Sequence, residues 1–300
     1  MTSTSFRRRL VGGASALAEG VWTLGFLALG QRRREVPRWE PLRGGRVLVV
    51  APHPDDETLG CGGTLVRHRH AGDVVRVVQV TDGRASRAGG LGPDEMAARR
   101  QDEARRAMAT LDVELVWLGL REAEWRENDL LPRLARVVRQ DQPSVIYAPS
   151  PIDYHPEHVR VARALAQVAT CRVRVFELGV PLGPALTNLV ADTTCVEGVR
   201  QMALAAYASQ TLGIHNLRRL RRYAGAYWQA AGLAEPFWEL SPAAFRAVVG
   251  AEAWRPTAFR GLRGRAFDDP LSYLVGSRAR HRLAGVAAGE PRPAAPPASG

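Results

Sequence analysis

Between residues 46 and 178, short apolar runs alternate with longer stretches of helical period. "RVLVVAP" (46–52) is continuous and β-branched, as expected for a strand buried on both faces. "ETLGCGGTLVRHRHAG" then predicts a helix closed by Gly72, and "DVVRVVQVTDG" (73–83) a second strand ending in a turn. "PDEMAARRQDEARRAMATLDV" opens with proline and acids and keeps a helical period, so a second helix is expected there. "ELVWLGL", "SVIYAPSP" and "RVRVFELG" predict three further strands, separated by helices in "DLLPRLARVVRQDQP" and "HPEHVRVARALAQVATC". This alternation predicts an α/β fold, a mostly parallel sheet with helices on both faces.

The pattern weakens afterwards. "CVEGVRQMALAAYASQ" (195–210) and "NLRRLRRYAGAYWQAAG" predict helices, whereas residues 241–284 mix proline, arginine and aromatics without a firm period. "EPRPAAPPASG" cannot bury a core and predicts a disordered tail. The expected organisation is a basic and apolar segment (1–44), a main domain (45–240), an extension (241–284) and a Pro/Ala tail (285–300).

At the N-terminus, a weakly apolar segment from Leu10 to Gly30 sits between two arginine triplets. Three readings stay open: an amphipathic helix lying on a membrane or docked, a true span, and a leader or signal. Glu19 and the glycines count against a span. Contact with a membrane surface through residues 10–30 is therefore expected, on an otherwise cytoplasmic protein.

The formal charge of +11 is carried entirely by arginine, for the chain has no lysine. The arginines are spread along the chain without the aromatic interleaving of a single-strand groove, so no specific nucleic-acid partner is expected. Cys61, Cys171 and Cys195 are odd in number and widely spaced, which excludes a disulfide framework and a C-x-x-C zinc pattern.

The candidate chemistry lies where strands end. "HPDDE" (53–57) follows the first strand and "IDYHPEH" (152–158) the fourth, the loops in which parallel α/β sheets bind ligands. His53 and Asp56 share one tight turn, and His158 can join them from the neighbouring loop. Two imidazoles and a carboxylate leave a coordination position for water, as in catalytic zinc sites. Asp55 and His155 would flank that water. Each motif alone has a plainer reading: an acidic loop capped by Asp55, and a helix start with Pro156 in its first turn. "GCGG" lacks the G-x-G-x-x-G spacing, so a dinucleotide loop is excluded and the glycines are expected to let the helix pack closely on the sheet. Arg84 and Arg87 follow the second strand on the same rim and are candidate substrate contacts, with Asp153 and Tyr154; Asp153 is also a candidate to orient His155 or to cap the next helix.

"APHPDDETLGCGG", "TDGRASR", "RRQDEARRAMATL", "YHPEH", "NLVADTT" and "VRQMALAAYASQ" occur in an order that resembles the LmbE-like, or PIG-L, family of zinc-dependent N-acetylglucosaminyl deacetylases. The resemblance covers roughly residues 45–240 and implies a Rossmann-like domain. It implies Zn2+ as cofactor, with iron(II) able to occupy the same ligands, held by His53, Asp56 and His158. It further implies Asp55 as general base, a protonated His155 steadying the oxyanion, and attack of a zinc-bound water on the amide. The implied partner is an amino-sugar-containing small molecule or glycolipid. A soluble thiol-sugar or glycopeptide conjugate, and a non-catalytic membrane-associated binding protein, are the alternatives. Ser209 and Gln210 also match a family motif, which helix packing explains as well.

Overall fold

In the computed structural model, residues 36–210, 232–251 and 276–289 are described, with positions 221, 222, 224, 225, 227 and 228 between them. The described elements run β1 (Arg46–Ala51), α1 (Asp56–His70), β2 (Val74–Thr81), α2 (Pro93–Leu111), β3 (Glu114–Leu120), α3 (Glu127–Asp141), β4 (Val145–Pro149), α4 (Pro156–Val168) and β5 (Arg172–Phe176). They continue with α5 (Gly183–Leu186), β6 (Leu189–Asp192), α6 (Glu197–Ala205), β7 (Ala234–Leu240), α7 (Pro242–Val249) and α8 (Ser277–Ala288).

The sheet has the order β3-β2-β1-β4-β5-β7-β6. β1 to β5 are parallel, and β7 runs antiparallel between β5 and β6. The five expected strands and the helices between them are all present. Alternate residues of β1 go to opposite faces, which is why its run is unbroken: Leu48 and Val50 pack with Leu134 and Leu165, while Val47 and Val49 pack with Leu65 and Met108. From β1 the chain winds outward to β2 and β3, then returns to β4 on the other side. The crevice at the carboxyl ends of β1 and β4 is thus the switch point at which such sheets bind ligands.

Two strands were not expected. β6 is only four residues long, and β7 contains Pro236, which argues against an interior strand when the sequence is read alone. Pro236 sits in register with Val190, and the neighbouring residues of β7 pair with both β5 and β6. The expected extension is also part of the same core: Phe245, Val248, Ala251 and Leu283 pack with the α3–α4 face. Helix α8 continues to Ala288, past the boundary expected at 284. No helix among the described residues is long and apolar enough to cross a membrane, and residues 10–30 lie outside them. The helix expected over "NLRRLRRYAGAYWQAAG" falls mostly outside them too.

Helix α1 carries the first motif and is broken at Cys61, where φ is −145°. Its second half restarts against Glu235 of β7, which accepts the Gly63 and Thr64 N–H groups at 2.9 and 2.8 Å. The glycines pack as expected. A Cβ on Gly60 would lie 2.3 Å from the Phe176 ring, and one on Gly63 would lie 2.6 Å from Thr193.

Candidate metal centre and active site

The turn after β1 is folded by its own polar groups. Asp56 Oδ2 accepts the His53 N–H at 2.8 Å, and Thr81 of β2 donates N–H and hydroxyl to the Pro52 carbonyl at 3.0 and 2.8 Å. Asp55 has φ +115°, a strained conformation for a residue with a Cβ, which the surroundings must enforce. Glu57 Oε2 accepts the Asp55 N–H at 3.3 Å.

Three donor atoms then meet. His53 Nδ1 is 3.2 Å from Asp56 Oδ2, His158 Nε2 is 3.3 Å from the same oxygen, and the two nitrogens are 3.3 Å apart. Ligand atoms about 2.0–2.1 Å from a tetrahedral zinc are separated by about 3.3 Å, so this triangle fits such an ion. The outer nitrogens are backed by carboxylates. His53 Nε2 faces Glu157 Oε2 at 3.2 Å and Glu122 Oε1 at 3.3 Å, and His158 Nδ1 is 3.1 Å from Asp153 Oδ2. Such partners fix which ring nitrogen keeps its proton and which turns a lone pair inward.

The electrostatics favour positive charge at this point. Burial works against a charged His158, yet Asp56 and Asp153 raise it to about 10. His53 is raised for the same kind of reason, against burial, by Asp56, Glu122 and Glu157. Asp56 is held well below the carboxylate range despite its burial, because it lies between the two imidazoles. A divalent cation among the three atoms would supply the same positive charge.

His155 lies beside both rings, 4.7 Å from each centroid. His53, His155 and His158 each offer a nitrogen within 4.8 Å of the others, so His155 is a second candidate for the third ligand. Burial and the neighbouring imidazoles push it down to about 4.

Asp55 stands next to this cluster. Its Oδ1 receives Arg100 Nη2 at 3.1 Å. Burial pushes Asp55 up to about 7, with Arg100 pulling down and Asp56 and Glu57 pushing up. Arg100, from α2, also donates to the Gly83 carbonyl at 3.3 Å and to the Pro54 carbonyl. Gly83 has φ +69°, and a Cβ there would come within 2.7 Å of Arg100 Nε. The close approach of that guanidinium thus needs a glycine.

Sequence reading missed Arg100, Glu57, Glu122 and Glu157. The helical period of α2 marks a buried face but not a guanidinium reaching back to β1, and nothing in "REAEW" distinguishes Glu122 from its acidic neighbour. The expected substrate contacts separate. Arg84 is engaged by Asp82 at 2.8 Å and Asp94 at 3.1 Å. Arg87 is exposed, and Tyr154 is half-buried with its ring against Gly179. Asp153 is 1% exposed, and its oxygens serve the His155 and Gly179 N–H groups and His158.

Residues 48–169 match the family model described as PIG-L: GlcNAc-PI de-N-acetylase. This stretch is a PIG-L family domain. It holds Asp55, His155, the three converging donors, their carboxylate partners and Arg100. Outside the PIG-L domain lie β5 to β7, α5 to α8 and the segment around Tyr207. A curated 1D-myo-inositol 2-acetamido-2-deoxy-alpha-D-glucopyranoside deacetylase of Kineococcus radiotolerans is 30% identical over 155 residues, 40% of this chain and 43% of the relative. The chain thus spans less than half the length of that relative. Among solved structures, the N,N'-diacetylchitobiose deacetylase of Pyrococcus horikoshii has a TM-score of 0.60 and 22% identity, covering 66% of this chain and 84% of its own. The 4-carboxy-2-hydroxymuconate hydratase of Pseudomonas putida KT2440 has a TM-score of 0.57 and 23% identity, covering 65% and 95%. At these identities the two structures establish the fold, which by itself does not select the reaction.

Proposed function

We propose that the protein is a metal-dependent hydrolase that removes the N-acetyl group from an amino-sugar substrate of the N-acetylglucosaminyl type. The observation that carries this reading is the donor triangle of His53, Asp56 and His158 with Asp55 beside it. The family match and the curated relative's activity support the choice of an amide in an amino sugar over another hydrolysable group. Zinc suits two imidazoles and one carboxylate, and iron(II) fits the same set. When bound, the metal supplies Lewis acidity and lowers the pKa of water toward about 7.

The chain's own residues do the rest. Asp55, with its carboxyl near neutrality, accepts the proton of the water that attacks the acetyl carbon and returns it to the departing nitrogen. Arg100 keeps that carboxylate aimed, and His155 donates an N–H to the developing oxyanion, a contribution of roughly 3 kcal/mol for one such donor. Acetate and a free amine leave. Residues 10–30 would bring the domain to a membrane surface, which makes lipid-linked amino sugars part of the substrate range.

The test is metal content together with amine and acetate release from lipid-linked, thiol-linked and aryl N-acetylglucosaminides. About one zinc per chain and matched amine and acetate from one class, both slowed by several orders of magnitude to a residual rate in Asp55→Ala with zinc retained, is the expected result. Folded protein without zinc, or zinc-loaded protein that releases neither product, overturns it.

A further inference from the structure

The four residues Tyr207–Gln210 follow α6, outside the PIG-L domain, yet each polar side chain among them reaches a different part of the site. The Tyr207 hydroxyl donates to Glu57 Oε1 at 2.6 Å. Ser209 donates its N–H to Glu103 Oε1 at 2.9 Å and its hydroxyl to Glu103 Oε2 at 2.6 Å. Gln210 donates to the Ser86 hydroxyl at 3.0 Å. Tyr207, Glu57 and Glu103 are fully buried, so the Tyr207–Glu57 bond forms in a low dielectric and its loss is not repaired by water, and the Glu103 carboxylate depends on the Ser209 donors.

All three lead to one residue. Glu57, held also by Thr58 at 2.6 Å and Gln79 at 2.7 Å, accepts the backbone N–H of Asp55. Glu103 lies one turn beyond Arg100 on α2, and Arg100 grips the Asp55 carboxylate. Ser86 belongs to the loop whose Gly83 carbonyl takes the other Arg100 nitrogen. Asp55 cannot rest in its φ of +115° without such help.

We propose that Tyr207 and Ser209, with Gln210, form a clamp of positioning residues that holds the backbone and the carboxylate of Asp55 in register with the donor triangle. The inference rests on Asp55 being the base of the reaction proposed above. Burial and the Glu57 carboxylate raise the Tyr207 phenol well above its ordinary range, so it remains a hydrogen donor.

The test uses the zinc-loaded full chain with Tyr207→Phe and Ser209→Ala, each also combined with Asp55→Ala. Each single variant is expected to lower kcat by roughly 10- to 100-fold, with KM and one bound zinc unchanged. In the Asp55→Ala background neither is expected to lower the residual rate further, because the clamp acts only through Asp55. Val75→Ala, in the core at the amino end of β2 and away from the strand ends that carry the site, serves as the control that loses melting temperature and keeps kcat. Unchanged kcat in both single variants, or a further fall in the Asp55→Ala background, overturns the clamp. Hydrogen exchange gives a readout without turnover: Tyr207→Phe should expose the amides of 55–59 selectively, and if it does not fold, Ser209→Ala decides. A wild-type protein that releases no amine refutes the reaction, and the exchange result then still confirms or overturns the clamp.

Discussion

Asp153→Asn probes how much of the proposed metal centre is set by groups that would not touch the ion. Asp153 is 1% exposed, with one oxygen on the His155 N–H at 3.0 Å and the other on the Gly179 N–H at 3.1 Å. That second oxygen also lies 3.1 Å from His158 Nδ1. At that separation and an effective dielectric of 20, the charge pair amounts to about 5 kcal/mol, which is a ceiling. An asparagine keeps the shape and one acceptor oxygen, so most of the packing and part of the hydrogen bonding survive. Removing carboxylates that back a metal-bound imidazole typically costs 10- to 100-fold in affinity, about 1.4–2.7 kcal/mol, and that range is the expected loss. The raised basicity of His158 should fall with it, since Asp153 is one of the two carboxylates that lift it to about 10. Zinc dissociation constants from chelator competition, with imidazole titration of the metal-free protein by NMR, measure both. A zinc affinity within twofold of wild type, in a folded protein, would refute the reasoning.

Other outcomes follow from the same geometry. In the metal-free protein His158 carries its proton up to about pH 10, so zinc must displace it, and affinity should fall as pH falls; pH-independent binding would exclude His158 as ligand. Gly83→Ala places a Cβ against Arg100 at a φ of +69°, and a loss of about 1–2 kcal/mol on chemical denaturation is expected, with lower turnover and intact zinc. His68, remote from the site, is buried between Asp73 and Tyr147 and pushed down to about 4 from its ordinary 6.5, chiefly by burial. Between those values the unfolded chain binds more protons, so the stability present above about pH 6.5 is lost as pH falls toward 4. The loss is up to about 3 kcal/mol, measured as the difference in urea unfolding between wild type and His68→Gln across that range.

Much of the centre was legible because its residues are neighbours in the chain. His53, Asp55 and Asp56 sit in one turn, and His155 and His158 in another, each directly after a strand whose β-branched run is plain. Strand-end placement of both motifs in one parallel sheet is enough to bring the two loops side by side. The residues that tune the centre were not legible. Glu122, Glu157 and Asp153 look like surface acids in any loop, and only burial turns them toward imidazole nitrogens. For Asp153, a substrate contact, an orienter of His155 and a helix cap all stayed open for the same reason, since its polarity is visible in the sequence and its direction is not.

By itself, then, the sequence determined the five parallel strands and the two strand-end loops that hold the candidate site residues, because strand period, helix period and short motifs act over a few residues. Tertiary structure decided the rest. Strand β7, with its proline, exists because β5 and β6 supply partners on either side, and its Glu235 restarts the broken helix that carries the first motif. Arg100, from a helix 45 positions away in sequence, reaches Asp55 only because Gly83 leaves room and α2 packs against α1 and β3. Tyr207 reaches Glu57 across 150 positions because α6 lies against α1 and α2. Such contacts depend on which faces pack together and what becomes desolvated between them, and no local pattern records that.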